Sequence, residues 1–181
     1  MIKKEIIFIP VNISILTISD SRSIESDKSG QILIDRIKNF GHKIKDRKIV
    51  KDEIKEIVNV LENWVKDDQI DVIITTGGTG LTGRDVTPEA VENLFDKPID
   101  GFGEMFRWIS FKKIGTSALQ SRAKAGVKNG KYIFCLPGSP SACKDAWDNI
   151  LLYQLDVRHK PCNFVEIMPR LKEHESSRFK K

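Results

Sequence analysis

Asp71-Val72-Ile73-Ile74-Thr75-Thr76-Gly77-Gly78-Thr79-Gly80-Leu81-Thr82-Gly83-Arg84-Asp85-Val86-Thr87-Pro88 is the stretch around which the rest of the chain is arranged. Val72 to Thr76 are residue types that fit a buried strand. Gly77, Gly78 and Gly80 allow φ > 0 and let backbone N–H groups come close to a ligand. Thr87 is a good N-cap and Pro88 suits a first helical turn, so a helix is expected to start there and run to Phe95. A strand, a small-residue loop and a helix in that order form a place where open α/β sheets bind ligands, and exposed amides beside a helix start favour phosphate.

The loop is neither of the common nucleotide fingerprints. No Lys-Ser or Lys-Thr follows the glycines, and G-x-G-x-x-G with its downstream acid is absent. Glycine content alone also fits a tight turn with no ligand. Asp85 adds a carboxylate beside an anion-binding loop, which is electrostatically unfavourable unless a cation lies between them. Mg²⁺ is the ordinary mediator, held by one or two carboxylates and by substrate phosphates.

The chain has 181 residues, enough for one domain with a substantial core. Met1 to Pro10 is too short and too soon interrupted for a secretory signal, and no later stretch spans a membrane, so a cytoplasmic protein is expected. Cys135, Cys143 and Cys162 are odd in number and lack metal spacing, so they read as reduced thiols. His42, His159 and His174 are scattered without metal spacing or a triad partner, and a serine-hydrolase mechanism finds no support. Of the net charge of +5, the segment from Arg170 to Lys181 carries +3. The basicity is mainly a tail, with no motif for nucleic-acid binding.

Val11 to Ile18 reads as a central strand that stops at Ser19-Asp20-Ser21-Arg22-Ser23. This loop falls on the same rim as the glycine loop and is either a polyanion-binding loop or a Ser/Asx turn. A helix is expected over Ser26 to Asn39 with Gly41 as its stop, then an exposed strand over Lys43 to Val50. Asp52 follows, where both an N-cap and a second metal-binding carboxylate fit. Asp100 to Trp108 reads as a helix start whose amides face the rim, with its Phe and Trp in the core or at a subunit contact. Ser117, Ser121 and Arg122 read either as turn residues or as ligand contacts, Arg122 being a forked phosphate donor. Ala123 to Val127 and Lys131 to Leu136 form a hairpin through Asn129-Gly130. Pro137-Gly138-Ser139-Pro140 then repeats the strand, turn and capped-helix pattern. Asp156 to Phe164 reads as irregular.

Thr75 to Gly80 followed by Arg84-Asp85-Val86-Thr87-Pro88-Glu89-Ala90, with Pro137-Gly138-Ser139-Pro140 downstream, resembles the MoaB/MogA family of molybdopterin adenylyltransferases. The resemblance runs from about Asn12 to Phe164. Asp100 to Glu104, Thr116 to Arg122 and Arg158 to Phe164 are similar to its MoaB branch. It implies an α/β fold, a three-layer αβα sandwich around a mixed, mostly parallel sheet, assembled as a homotrimer or a hexamer. Residues 1–10 would be an N-terminal extension, 11–168 the molybdopterin-binding domain and 169–181 a charged, flexible tail. The implied reaction joins the phosphate of molybdopterin to the AMP part of Mg-ATP and releases pyrophosphate. Asp52 and Asp85 match the family's two catalytic acidic positions, and Mg²⁺ is expected to be held through them. Ser19, Asp20, Thr76, Gly77, Gly78, Thr79, Gly80, Pro137, Gly138 and Ser139 match its pterin- and nucleotide-binding loops, and Ser121 and Arg122 join them as candidate substrate contacts. Not every MoaB-branch member is an established adenylyltransferase, so a non-catalytic molybdopterin-binding or scaffold protein is the alternative. Docking of a molybdenum insertase is left open.

Overall fold

Strand β1, Asn12–Ile18, is buried after its first residue, and the strand formed by Val72–Thr76 is buried throughout. Strands covered on both faces favour apolar or β-branched side chains along their whole length, which is why these runs lack clean alternation. In the computed structural model, which describes residues 2–175, they are neighbours in a six-stranded sheet. With β2 at Lys43–Val50, β3 at Val72–Thr76, β4 at Lys97–Pro98, β5 at Lys124–Lys128 and β6 at Lys131–Leu136, the order is β2-β1-β3-β6-β5-β4. The first four strands are mutually parallel, and the β5–β6 and β4–β5 pairs are antiparallel. The sheet is therefore mixed and mostly parallel, as the resemblance implies.

Helices α1 (Lys28–Phe40) and α2 (Ile54–Lys66) cover opposite faces. Leu33 and Ile37 of α1 join Ile13, Ile15 and Ile74 in one core, whereas Ile57, Leu61 and Trp64 of α2 join Leu16 and Ile73 in the other. Helix α3 (Thr87–Glu92) packs with α2; α5 (Pro140–Ala146) packs with α1, and α4 (Asp100–Ile114) packs with α5 and β5. The result is three layers. Because the chain leaves β1 toward β2 and returns past it to β3, the topological switch point lies between β1 and β3, where an open α/β sheet leaves a crevice. Register levels the strand ends: Ile18 pairs with Val50 and Thr17 with Thr76, and Thr76 pairs with Leu136.

Local chemistry sets many boundaries. Asp27 caps α1 by accepting from Gly30 N at 2.9 Å, and Gly41 ends it at φ 103°. Ser139 caps α5, with Pro140 in the first turn. Asn129 and Gly130 both take positive φ, as a two-residue hairpin loop requires.

The departures have identifiable causes. Thr87 lies inside α3 rather than at its cap, because its hydroxyl donates to the Gly77 carbonyl at 2.8 Å. That helix ends at Glu92, short of Phe95, whose ring covers Gly126 of β5 so closely that a Cβ there would stand 2.3 Å from it. Glu53, not Asp52, precedes α2, and no side chain caps that helix. The expected irregular stretch after Asp156 ends in a short helix. After α6 (Leu152–Gln154), α7 (Phe164–Ile167) is capped by Asn163, which accepts from Glu166 N at 2.8 Å. Strand β4 carries too little sequence signal to be foreseen.

The N-terminal segment is strapped to the domain. Ile2 bridges His159, Lys3 N donates to Arg158 O at 2.9 Å, and the Arg158 guanidinium stands 4.8 Å over the Phe8 ring. Of the expected tail, residues 169–175 are held in short turns, with Lys172 Nζ donating to Asn129 Oδ1 at 2.9 Å. Residues 176–181 lie outside the described residues.

His42 sits under the strap, its Nδ1 accepting from Val11 N at 3.2 Å, among Phe8, Phe40 and Trp147. Burial pushes its pKa down to about 4. The folded state thus holds His42 neutral where the unfolded chain protonates it. Its contribution is complete above the unfolded value of about 6.5 and is lost as pH falls toward 4. Denaturant unfolding should show stability falling by about 2–3 kcal/mol across that window, with His159, also lowered by burial, acting in the same direction. His42→Phe should flatten most of the slope. A second expectation concerns Gly77, at φ 115°, where an added Cβ would lie 2.1 Å from the Ile18 carbonyl oxygen. Gly77→Ala should cost about 3 kcal/mol, read as a lowered urea midpoint with an unchanged m-value.

Candidate functional site

Loops after β1, β2, β3 and β6 meet around a cleft of about 450 Å³ at the level strand ends. That size is in the range of small-molecule sites. Ser19, Asp52, Gly77 to Gly80, Asp85, Ser121 and Pro137 to Ser139 all line it. The residues singled out in the sequence therefore make up most of one wall of this cleft. Ser19 also accepts from Ser21 N at 3.3 Å, so its loop is a Ser turn and a cleft wall together.

The loop backbones are close-packed. Gly78 takes φ 62°, and a Cβ on it would meet Asp52 Oδ1 at 3.0 Å; one on Gly80 would meet Asp85 Oδ2 at 2.8 Å. A Cβ on Gly138 would come within 3.1 Å of Gly77 Cα. Thr76 Oγ1 donates to the Pro137 carbonyl at 2.9 Å, tying the two glycine-bearing loops beneath the cleft rather than lining it. Arg22, from the loop after β1, holds the second of these loops, with Nη2 donating to Gly138 O at 2.9 Å and Nη1 to Ser29 Oγ at 3.1 Å. Among the described residues, the N–H groups of Gly78, Thr79, Gly138 and Ser139 find no acceptor. Unpaired amides at such a rim are the donors an anion needs.

Arg122 differs from its expected place. Its Nε donates to Gly80 O at 2.7 Å, its Nη2 to Asp85 O at 2.6 Å, and its backbone N–H to Thr79 O at 3.1 Å, while Nη1 pairs with Glu89. The guanidinium is spent holding the glycine loop in shape and does not line the cleft. The start of α4 departs too: Gly103 and Glu104 face a separate groove with Arg107 and Lys124, and only the later Phe106, Ser110 and Ile114 reach the cleft.

The two candidate catalytic carboxylates have opposite environments. Burial works against the charged form of Asp85, but hydrogen bonds from the Thr82 hydroxyl at 2.6 Å and its N–H at 2.9 Å hold the carboxyl below the usual range. Asp52 is shifted upward, first by burial and then by the neighbouring charge of Asp20. No described residue donates to its carboxylate or forms an ion pair with it. Asp20 stands just outside the cleft. Both its oxygens are taken by Arg84, at 3.0 Å from Nε and 2.9 Å from Nη2, and Oδ1 also accepts from Asp52 N at 3.2 Å.

These residues fit Mg²⁺. The oxygen donors are hard, Asp85 is held below the usual carboxylate range and Asp52 has no described partner for its carboxylate, so the chain offers at most these two side-chain ligands at the cleft and no group of three or more among the described residues. Mg²⁺ is commonly held in this way, by one or two carboxylates together with substrate phosphates.

The opposite wall was not foreseen from the sequence. Phe106, Ser110 and Ile114 follow one another at i and i+4 on α4, joined by Gln120 and Ala142. The helical spacing was available as a signal, but an apolar stripe says only that a face is covered, not by what.

Residues 14–157 match the family described as "Probable molybdopterin binding domain". Molybdenum cofactor biosynthesis protein B of Escherichia coli K12 is 50% identical over 157 residues, covering 87% of this chain and 92% of that protein. A crystal structure of a molybdenum cofactor biosynthesis protein B superposes with TM-score 0.82 at 41% identity, covering 91% of this chain and 97% of the other. The tungsten cofactor synthesizing protein MoaB from Pyrococcus furiosus superposes with TM-score 0.72 at 32% identity, covering 92% and 98%. With this cleft, this strand order and these matches, the chain belongs to the MoaB/MogA family of molybdenum cofactor biosynthesis proteins.

Proposed function

We propose that the chain is a molybdopterin adenylyltransferase, using ATP to convert molybdopterin to its adenylyl form with release of pyrophosphate. The observation that carries this reading is the convergence of unpaired loop amides and two carboxylates on one cleft. A terminal phosphate oxygen of molybdopterin would attack the α-phosphorus of ATP, forming a new P–O bond as the bond from that phosphorus to the β-phosphate oxygen breaks. The nucleophile is already ionised at neutral pH, so no general base is required. What the chain must supply is alignment and charge control.

Each residue has a part in that. The N–H groups of Gly78, Thr79, Gly138 and Ser139 hold phosphate oxygens; Thr76 ties the two loops together, Arg22 braces the Gly138 loop and Arg122 braces the Gly80 loop. Phe106 and Ile114 offer an apolar wall to a planar ring, with Ser110 and Gln120 as polar contacts. Asp52 and Asp85 are the residues that would hold Mg²⁺, and the ion would supply neutralisation of the negative charge on the pyrophosphate leaving group.

Assembly into a homo-oligomer belongs to the same proposal. Helix α4 and the 3₁₀ turn after it leave Met105, Trp108, Phe111, Ile114 and Leu119 exposed, Trp108 at 61% and Leu119 at 79%. Large apolar side chains gathered on one short segment are what a partner surface covers.

With purified protein, Mg²⁺, ATP and molybdopterin, pyrophosphate release is expected. Asp85→Asn and Asp52→Ala should each lower kcat by at least about 100-fold while keeping the thermal unfolding midpoint within a few degrees. Release by wild type at the level of a no-protein blank would instead favour a non-catalytic molybdopterin-binding protein. Solution mass should correspond to a trimer or hexamer, and Trp108→Glu should shift it toward monomer by placing a charge in the covered face.

A further inference from the structure

Three arginines surround the cleft, and their partners set them apart. Arg22 and Arg122 bond backbone carbonyls of the loops they brace, Gly138 O for one and Gly80 O and Asp85 O for the other. Such bonds are part of the fold. Arg84 bonds only carboxylates: both oxygens of Asp20, at 2.9 and 3.0 Å, and Glu53 Oε1 at 2.8 Å. Its side chain is 55% exposed.

Its position joins three loops. Asp20 follows β1, Asp52 and Glu53 follow β2, and Arg84 leads directly into Asp85 after β3. Four carboxylates, Asp20, Glu53, Asp52 and Asp85, belong to these three loops. Arg84 pairs with two of them, while Lys51 gives weaker support to Asp20. Asp20 presses its charge on Asp52 while accepting the Asp52 N–H. A divalent cation entering beside Asp52 would therefore compete with Arg84 for one set of oxygens.

We propose that Arg84 is a place-holding cation: it neutralises Asp20 and Glu53 while the cleft is empty, yields Asp20 to the arriving metal, and turns its freed guanidinium to the nucleotide phosphates. This makes Arg84 a positioning residue for the metal and a contact for the nucleotide. The proposal rests on the reading of the cleft as a metal–nucleotide site. Its energetic signature is a pair of effects with opposite signs. Arg84 opposes metal alone, by charge and by occupying Asp20, yet favours the metal–nucleotide complex through charge-assisted hydrogen bonds to phosphate. A residue that merely supported the loops would, when removed, weaken both.

The test uses the full chain with Mn²⁺ as a paramagnetic probe, titrated by electron paramagnetic resonance without nucleotide, and then ATP binding measured calorimetrically at saturating Mn²⁺. Relative to wild type, Arg84→Gln should bind Mn²⁺ alone about three- to fivefold more tightly, the scale of removing one exposed neighbouring charge. It should bind Mn-ATP about tenfold more weakly, the scale of losing a hydrogen bond to a charged group. Arg84→Lys, which keeps the charge without the fork, should fall between the two in both measurements. Mn²⁺ affinity unchanged or lowered in Arg84→Gln would overturn the proposal, as would unchanged Mn-ATP affinity. If wild type releases pyrophosphate but the opposite-sign pair is missing, only the role of Arg84 fails. If wild type neither binds Mn-ATP nor turns over, the functional reading fails and the proposal with it.

Discussion

The site depends on how closely three backbone segments approach one another at the ends of β1, β3 and β6. Gly77 faces the Ile18 carbonyl with no room for a Cβ, and Gly138 lies against Gly77 Cα. Parallel strands with level ends bring these loops to one rim, but only glycine lets the backbones touch there. Without that contact the amides of Gly78 and Thr79 and those of Gly138 and Ser139 would be separated by side chains. The hydrogen bond from Thr76 to Pro137 O and the span of Arg22 to Gly138 O then fix the spacing. The fold thus supplies a rigid pair of amide-bearing loops before any ligand arrives, which is the preorganisation that charge-stabilising sites require.

That rim is also a place of electrostatic conflict, which the structure distributes unevenly. Asp85 is made comfortable as an anion by Thr82, whereas Asp52 is half-buried beside Asp20 without a cation of its own. Two carboxylates in one cleft with environments that push their proton affinities apart are a frequent mark of function. A purely structural acid would be expected to cap a helix or pair with a base, as Asp27 and Asp156 do. Asp52 does neither, although it lies one residue from a helix cap.

Much of this was legible in the sequence, for a physical reason: strands, glycine turns and caps are encoded by local residue chemistry. The run Val72 to Pro88, the Asn129-Gly130 turn and the Ser139-Pro140 cap each announce themselves within a few residues. What escaped depends on partners distant in the chain. Arg122 looks like a free phosphate fork until Gly80 O, Asp85 O and Glu89 are brought to it, and Asp52 looks like a cap until α2 starts after Glu53. Thr87 has cap chemistry, yet the Gly77 carbonyl claims its hydroxyl. In each case a short-range role was available, and a contact across the fold decided between roles.

The least legible element, α4, links the cleft to the outside of the molecule. Phe102 and Phe106 anchor it in the core, while Trp108, Phe111 and Met105 turn outward. Ile114 belongs to both sets, lining the cleft and standing 57% exposed. A low-contrast helix of this kind reads ambiguously because both of its faces carry large apolar side chains while only the inner one is buried. The inner face meets the sheet and the cleft. Whatever covers the outer face would press on the same helix that carries Phe106 and Ser110, so assembly and the shape of the apolar wall are mechanically joined through one rigid element.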